Sequence, residues 1–251
     1  METIEIFGVK IHNISFDEAV KEVENYLKGN ILKTIYTPNP EIVMGAKKDN
    51  NLKELINGGD LITADGIGLI YAAKIKNRSF KGRVTGLDLS MELLRIANDN
   101  NYGLYLLGGK EGVSKAAAEN IKKSFPNIRI AGNHHGYFKG SHTGYENHEE
   151  EQNIIEDINH SNPDIVFVGL GFPKQEVWID SNKNKVKAKI IIGNGGVMDI
   201  LSGNIKKTPE FIRKIGFEWL YRLIQEPSRI KRQIVLPKFM LTVLFSKDVI
   251  K

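Results

Sequence analysis

The sequence predicts an α/β fold in which a mostly parallel sheet is flanked by helices and followed by a helical C-terminal appendage. Two observations predict it. Apolar runs, Leu104-Tyr105-Leu106-Leu107, Ile165-Val166-Phe167-Val168 and Ala188 to Ile192 (interrupted by Lys189), lack the alternation of a half-exposed strand and read as strands buried on both faces. Each run is followed by glycines: Gly108-Gly109, Gly169-Leu170-Gly171 and Gly193-Asn194-Gly195-Gly196. Helical patterns from Glu111 to Phe125 and from about Lys174 to Ser181 follow the first two. This strand–glycine–helix alternation is Rossmann-like, and ligands of such sheets bind outside the carboxyl ends of the strands.

The other elements follow in order. Ile4-Glu5-Ile6 and Val9-Lys10-Ile11 are short strands. Ser15-Phe16-Asp17-Glu18 is a capping box, opening a helix to Lys28 with Gly29 as its stop. Leu32 to Tyr36 is a strand, after which Asn39 can cap a helix that has Pro40 in its first position. A second short helix covers Leu52 to Ile56. Leu61-Ile62 leads into Thr63-Ala64-Asp65-Gly66-Ile67-Gly68 and a helix from Ile67 to Lys76. Arg83-Val84-Thr85-Gly86 precedes the helix Leu87 to Asn98, and Ile128 to Ala131 is a further strand. Residues 139–152 are polar and charged and read as a mobile surface loop running into a helix. From about Thr208 the chain is helical, with Pro209, Pro227 and Pro237 at starts or breaks. The division expected is a core of residues 1–195 and an appendage of 196–251.

Composition narrows the function classes. The 251 residues contain no cysteine, which removes disulfides and thiolate metal sites. There is neither a signal pattern at the N-terminus nor an apolar run of about 20 residues, so a cytoplasmic location is expected. The net charge of +5 is unevenly spread: residues 204–251 carry 11 Lys/Arg against 4 Asp/Glu. That tail also holds Trp219, Leu220, Leu223 and Ile224 on one helical face and the apolar stretch Phe239 to Phe245. Basic beside apolar fits a helix pair lying on an anionic membrane surface. A hairpin packed on the core, or an interface between copies, fits the same pattern.

The candidate site begins with Asp65, a carboxylate at a strand end between residues that let a substrate approach the backbone. An Asp N-cap with a glycine turn accounts for the same stretch. The turns holding Gly108, Gly109, Gly169, Gly171 and Asn194 can present backbone N–H groups to a phosphate, although none is a full dinucleotide or P-loop motif. In Gly171-Phe172-Pro173-Lys174-Gln175-Glu176, Gln175 suits a base or sugar edge and Lys174 a phosphate; an exposed first helical turn is the plainer reading. His134-His135 has no ligand spacing and no Asp-x-Asp pair occurs, so neither metal nor cofactor is expected.

Taken in order, Thr37-Pro38-Asn39-Pro40, Thr63-Ala64-Asp65-Gly66, Arg83-Val84-Thr85-Gly86, Leu107-Gly108-Gly109, Gly169 to Glu176 and Gly193-Asn194-Gly195-Gly196 resemble the WecG/TagA/CpsF family of bacterial glycosyltransferases. The likeness covers nearly the whole chain and is strongest to the family's N-acetylmannosaminyltransferases of wall teichoic acid synthesis. It implies inverting, metal-independent transfer from UDP-ManNAc to the 4-hydroxyl of GlcNAc on undecaprenyl diphosphate. It implies Asp65 as base, Thr37, Asn39 and Gln175 as pocket residues, and Arg222, Arg229 and Arg232 on an appendage that closes the site and touches the inner face of the membrane. Arg83 and Lys174 are the further cations able to meet the donor phosphates. A relative using UDP-ManNAc uronate or UDP-glucose is the alternative enzyme. A non-catalytic nucleotide or nucleic-acid binding protein is the alternative class, although no nucleic-acid motif occurs and no nucleic-acid partner is expected.

Overall fold

The computed structural model describes residues 1–214, 216–227, 230, 234–246 and 249–250. Eight strands are present among them: β1 (Thr3–Ile6), β2 (Val9–His12), β3 (Lys33–Tyr36), β4 (Leu61–Ile62), β5 (Gly103–Gly108), β6 (Arg129–His134), β7 (Ile165–Gly169) and β8 (Ile190–Gly193). β1 and β2 form an antiparallel hairpin. The other six form one parallel sheet in the order β4-β3-β8-β7-β5-β6. The fold is therefore the expected Rossmann-like parallel sheet flanked by helices.

The continuous apolar strands are explained by burial on two sides. Tyr105, Leu107, Val166, Val168 and Ile191 face one core, and Leu104, Leu106, Ile165, Phe167, Ile190 and Ile192 face the other. The second core is closed by α1 (Phe16–Lys28), α5 (Gly86–Asn100), α6 (Val113–Ser124) and α9 (Gly195–Leu201). The first is closed by the hairpin, α2 (Pro40–Ala46), α3 (Asn50–Asn57), α4 (Ile67–Ile75), α7 (Glu149–Ser161) and α8 (Lys174–Asn182).

Local signals set the helix starts. The Ser15 hydroxyl accepts from the Glu18 N–H while Glu18 accepts from the Ser15 N–H, and the Gly29 N–H closes on Tyr26 O. Asn39 Oδ1 accepts from the Ile42 N–H at 3.1 Å, with Pro40 in the first helical position. The C-terminal helices are α10 (Glu210–Lys214), α11 (Glu218–Gln225) and α12 (Val235–Phe245). Pro237 lies in the first turn of α12, where a missing N–H costs no helical bond. Phe239 and Val243 turn inward onto the first core, against α2 and α4, and are fully buried. Leu241, Leu244 and Phe245 face outward.

The segment 139–152 differs from the surface loop expected. It contains a 3-10 turn, Ser141–Thr143, tied down by Glu151, which is fully buried. Glu151 Oε1 accepts from the Ser141 N–H (3.1 Å), the Ser141 hydroxyl (2.8 Å) and Asn182 Nδ2 (3.1 Å). Charge-rich sequence thus conceals an internal anchor, because a buried carboxylate is tolerated when its hydrogen bonds are supplied. Glu151→Ala removes the acceptor and leaves those donors buried. It is expected to lower stability by about 2–3 kcal/mol, measured by urea unfolding; an unchanged midpoint would show the anchor to be energetically idle.

Candidate active site

The carboxyl ends of β3, β4, β7 and β8 open on one cleft of about 1140 Å³. Asp65 stands on its floor. Its N–H donates to Pro38 O at 3.0 Å. The preceding residues are held by Val84 N–H to Ala64 O (3.1 Å) and by the Thr63 hydroxyl to Val84 O (3.0 Å). Asp65 is not the cap of α4: that position is Gly66, which makes no side-chain cap bond. Gly66 has φ +112°, and a Cβ there would lie 3.0 Å from Pro40 Cδ, so the turn needs glycine on both counts.

The Asp65 carboxylate is held by residues from the loop before α5. Oδ2 accepts from the Gly86 N–H at 3.1 Å, and Oδ1 lies 3.8 Å from Arg83 Nη2. Gly86 is placed so closely that a Cβ would meet Thr37 Oγ1 at 2.8 Å. Burial pushes the Asp65 carboxyl above the ordinary carboxylate range. The Arg83 guanidinium and the Gly86 N–H oppose that shift, while the Glu218 carboxylate adds to it. About a quarter of the side chain (27%) stays exposed to the cleft, so the carboxylate is reachable.

Most of the other expected residues meet here. Thr37, Asn39, Arg83, Gly109, Gly169, Gly171, Lys174, Gln175, Asn194 and Arg222 all line the cleft. Asn39 commits its carbonyl to capping α2, which leaves its NH2 as the group for a ligand. Gln175 is buried and lies against the turn after β8, where a Cβ on Gly193 would come within 2.8 Å of its Nε2. That nitrogen donates to Glu176 Oε1 at 2.9 Å, and the Gln175 Oε1 meets no donor among the described residues. Asn194 Oδ1 is 2.8 Å from the Ser90 hydroxyl, which also reaches Gly86 O at 2.6 Å.

Two expected residues stand behind the wall. Glu176 is buried and orients Gln175. Gly108 does not line the cleft; a Cβ there would meet Gly169 O at 2.4 Å, so its role is the close approach of the β5 and β7 ends. The Gly109 N–H is used by Gly169 O at 3.1 Å, and so is not offered to a phosphate. Arg229 and Arg232 lie outside the described residues.

Two residues escaped the sequence reading. Gly86 is visible only as the end of a motif, with nothing local to say that its N–H meets a carboxylate 21 positions earlier. Glu218 reads as the first-turn acid of α11. It in fact reaches into the cleft, with Oε2 on Arg83 Nη2 at 2.6 Å and Oε1 on Arg222 Nη2 at 2.8 Å.

A reachable carboxylate beside two arginines thus stands at the strand ends of a Rossmann-like sheet, where such sheets bind their ligands. The model of the glycosyl transferase WecG/TagA/CpsF family matches residues 4–249, and the chain belongs to that family. It is thus a glycosyltransferase. One curated relative is the N-acetylglucosaminyldiphosphoundecaprenol N-acetyl-beta-D-mannosaminyltransferase of Bacillus subtilis (strain 168), 34% identical over 97% of this chain and 92% of its own length. Its namesake from Staphylococcus aureus (strain MRSA252) is 33% identical over 99% of this chain and 94% of its own.

The contact between Gly86 and Thr37 yields a test. Gly86→Ala should leave the fold intact, since alanine suits a first helical position, but displace Thr37 or Asp65. Misplacing a reacting group by about 1 Å costs on the order of 100-fold. Turnover should fall on that scale with the unfolding midpoint unchanged; equal turnover would show that the contact does not position the site.

Proposed function

We propose that this chain transfers N-acetylmannosamine from UDP-ManNAc to the 4-hydroxyl of the GlcNAc of undecaprenyl-diphosphate-GlcNAc, inverting the anomeric centre without a metal. The product is the β-1,4 disaccharide lipid of the wall teichoic acid linkage unit. The observation that carries the reading is Asp65: a carboxylate made more basic by burial, open to the cleft and held by one N–H. The acceptor lipid and the sugar are those in the names of the two relatives, which align over nearly all of their own length; the UDP carrier follows from the family resemblance.

In this reading Asp65 takes the proton of the acceptor hydroxyl as its oxygen attacks the anomeric carbon. The bond to the UDP oxygen breaks on the opposite face. Arg222, Arg229 and Arg232, from an appendage spanning residues 196–251, neutralise the leaving diphosphate, and guanidinium forks suit phosphate oxygens. Thr37, Asn39 and Gln175 hold the sugar and nucleotide. Among the described residues no three His, Cys, Asp or Glu side chains converge as a metal site.

The acceptor's polyprenyl chain stays in the bilayer, so the enzyme must come to it. No helix among the described residues is long and apolar enough to cross a membrane. Ile224 on α11 and Leu241, Leu244 and Phe245 on α12 are exposed beside a basic tail, which supports peripheral attachment at the inner face of the membrane. The same apolar surface suits contact between copies of the chain, and flotation with anionic liposomes against sedimentation in solution separates the two.

The reaction is tested with a soluble GlcNAc-diphospholipid and a panel of UDP-sugars: UDP-ManNAc should be consumed in preference to UDP-glucose and the ManNAc uronate donor. Asp65→Asn should lower turnover by about 100- to 10,000-fold. Its effect on stability has a definite sign. A carboxyl raised in the folded state is neutral in both states, and costs nothing, below its unfolded value; the cost builds as pH rises from the unfolded value towards the folded one and is complete above it. Asp65→Asn should therefore melt at or above the wild-type temperature at pH 7, with the difference vanishing below about pH 4. A normally active Asp65→Asn protein would remove Asp65 as base. Turnover abolished by EDTA and restored by Mg²⁺ or Mn²⁺ would remove the arginine account; chelator is expected to leave the rate unchanged.

A further inference from the structure

Arg83 offers one nitrogen, Nη2, to two carboxylates. Glu218 Oε2 holds it at 2.6 Å, whereas Asp65 Oδ1 stands off at 3.8 Å. The other Glu218 oxygen holds Arg222 Nη2 at 2.8 Å. The Glu218 side chain is only 13% exposed, and the first of its bonds crosses 135 positions from α11 to the loop before α5. An ordinary i, i+4 surface pair explains neither the burial nor the second bond. The Nε of Arg83 is buried and meets no acceptor among the described residues, so this guanidinium is steered by Glu218 through a single N–H.

We propose that Glu218 is a positioning residue for the reaction: by bridging Arg83 to Arg222 it draws Arg83 away from a close ion pair with Asp65 and fixes α11 across the cleft. This rests on Asp65 being the base. A carboxylate gripped by a guanidinium at 2.8 Å is a poor proton acceptor, because the ion pair would have to be broken as the proton arrives. A carboxylate left free in a buried cleft would lack orientation. Glu218 resolves the conflict by taking the contested N–H, which leaves Asp65 oriented by Gly86 and only loosely paired.

The charged groups facing the Asp65 carboxyl among the described residues are Arg83 from the loop and Glu218 and Arg222 from α11. The Arg213–Asp88 pair joins α10 to α5 alongside and neutralises itself. Loss of the Glu218 charge acts twice in one direction: it removes a repelling carboxylate from Asp65 and releases Arg83 to pair with it. Both changes favour ionised Asp65 and weaken it as a base.

The test is Glu218→Gln in the full chain, read by two measurements. The first is a ¹³C NMR titration of the Asp65 carboxyl in substrate-free protein, with its signal assigned by its absence in Asp65→Asn. The second is the pH profile of kcat and kcat/KM with UDP-ManNAc and the soluble acceptor. The Asp65 midpoint should fall by about one pH unit in Glu218→Gln, a size typical of a carboxylate gaining a guanidinium partner. The acid limb of kcat/KM should move down with it. On the plateau kcat should drop several-fold but by less than about tenfold, since a base one unit weaker loses at most that factor.

Glu218→Asp keeps the charge on a stem too short to span both guanidiniums. It should give a smaller fall in the midpoint, and it carries the test if Glu218→Gln does not fold. An Asp65 midpoint unchanged in the folded variant would overturn the proposal, whatever happened to the rate, because a purely structural tie would move activity alone. The titration needs no turnover. It therefore tests the hold of Glu218 on Arg83 separately from the assignment of the base: an active Asp65→Asn protein would overturn the catalytic role of both residues, while an unchanged midpoint would overturn that of Glu218 alone.

Discussion

A general base must be buried enough to be basic, fixed enough to aim and unpaired enough to react. Those demands conflict, because burying a carboxylate is normally offset by pairing it closely. In the role proposed for Asp65, the site meets them with one backbone N–H, from Gly86 at the start of α5, and one guanidinium kept at a distance. Everything nearby serves that arrangement. Gly86 lacks a side chain so that Thr37 and Asp65 can share its surroundings, while Pro38 holds the Asp65 N–H and Val84 bonds the two residues before it.

The sheet supplies the frame. In the order β4-β3-β8-β7-β5-β6, β3 lies beside β8, the last strand in sequence, and β4 lies outside β3 at the edge. Asp65 after β4, Thr37 and Asn39 after β3, and Asn194 after β8 therefore arrive at neighbouring positions on one edge although the chain between them is long. Gln175 from α8 lies flat on the glycines of the β8 turn, and Glu176 holds its amide from behind. The tight glycine turns serve this packing more than anion binding: the Gly109 N–H is spent on Gly169 O, and Gly108 gives β5 and β7 room to meet.

What could be read from sequence was what depends on neighbours in the chain. The Ser15 capping box, the Asn39–Pro40 start and the buried strands are short-range signals, and each appears as expected. The Asp65 stretch was ambiguous because capping and catalysis use the same residues; the structure gives the cap position to Gly66 and ties the Asp65 carboxylate to an N–H 21 positions away. Glu218 was illegible for the same reason: its partners include a guanidinium 135 positions earlier, and its local setting is that of any helix-opening acid. Residues 139–152 misled by composition, since charge suggests solvent while Glu151 is enclosed by donors from its own loop and α8.

The C-terminal segment does not dangle. The Phe7 N–H donates to Val249 O at 2.9 Å, Ile250 forms an antiparallel bridge with Ile6, and Phe239 and Val243 are sunk in the core beside α2 and α4. At its other end α10 is clamped to α5 by Arg213 and Asp88. A belt buckled at both ends cannot be thrown open; it can only be slackened in the middle, where α11 crosses the cleft. In the function proposed above, a lipid-borne acceptor would then be admitted from the side, under the belt. Cutting the belt anywhere would strip apolar cover from the hairpin and the two helices beneath it.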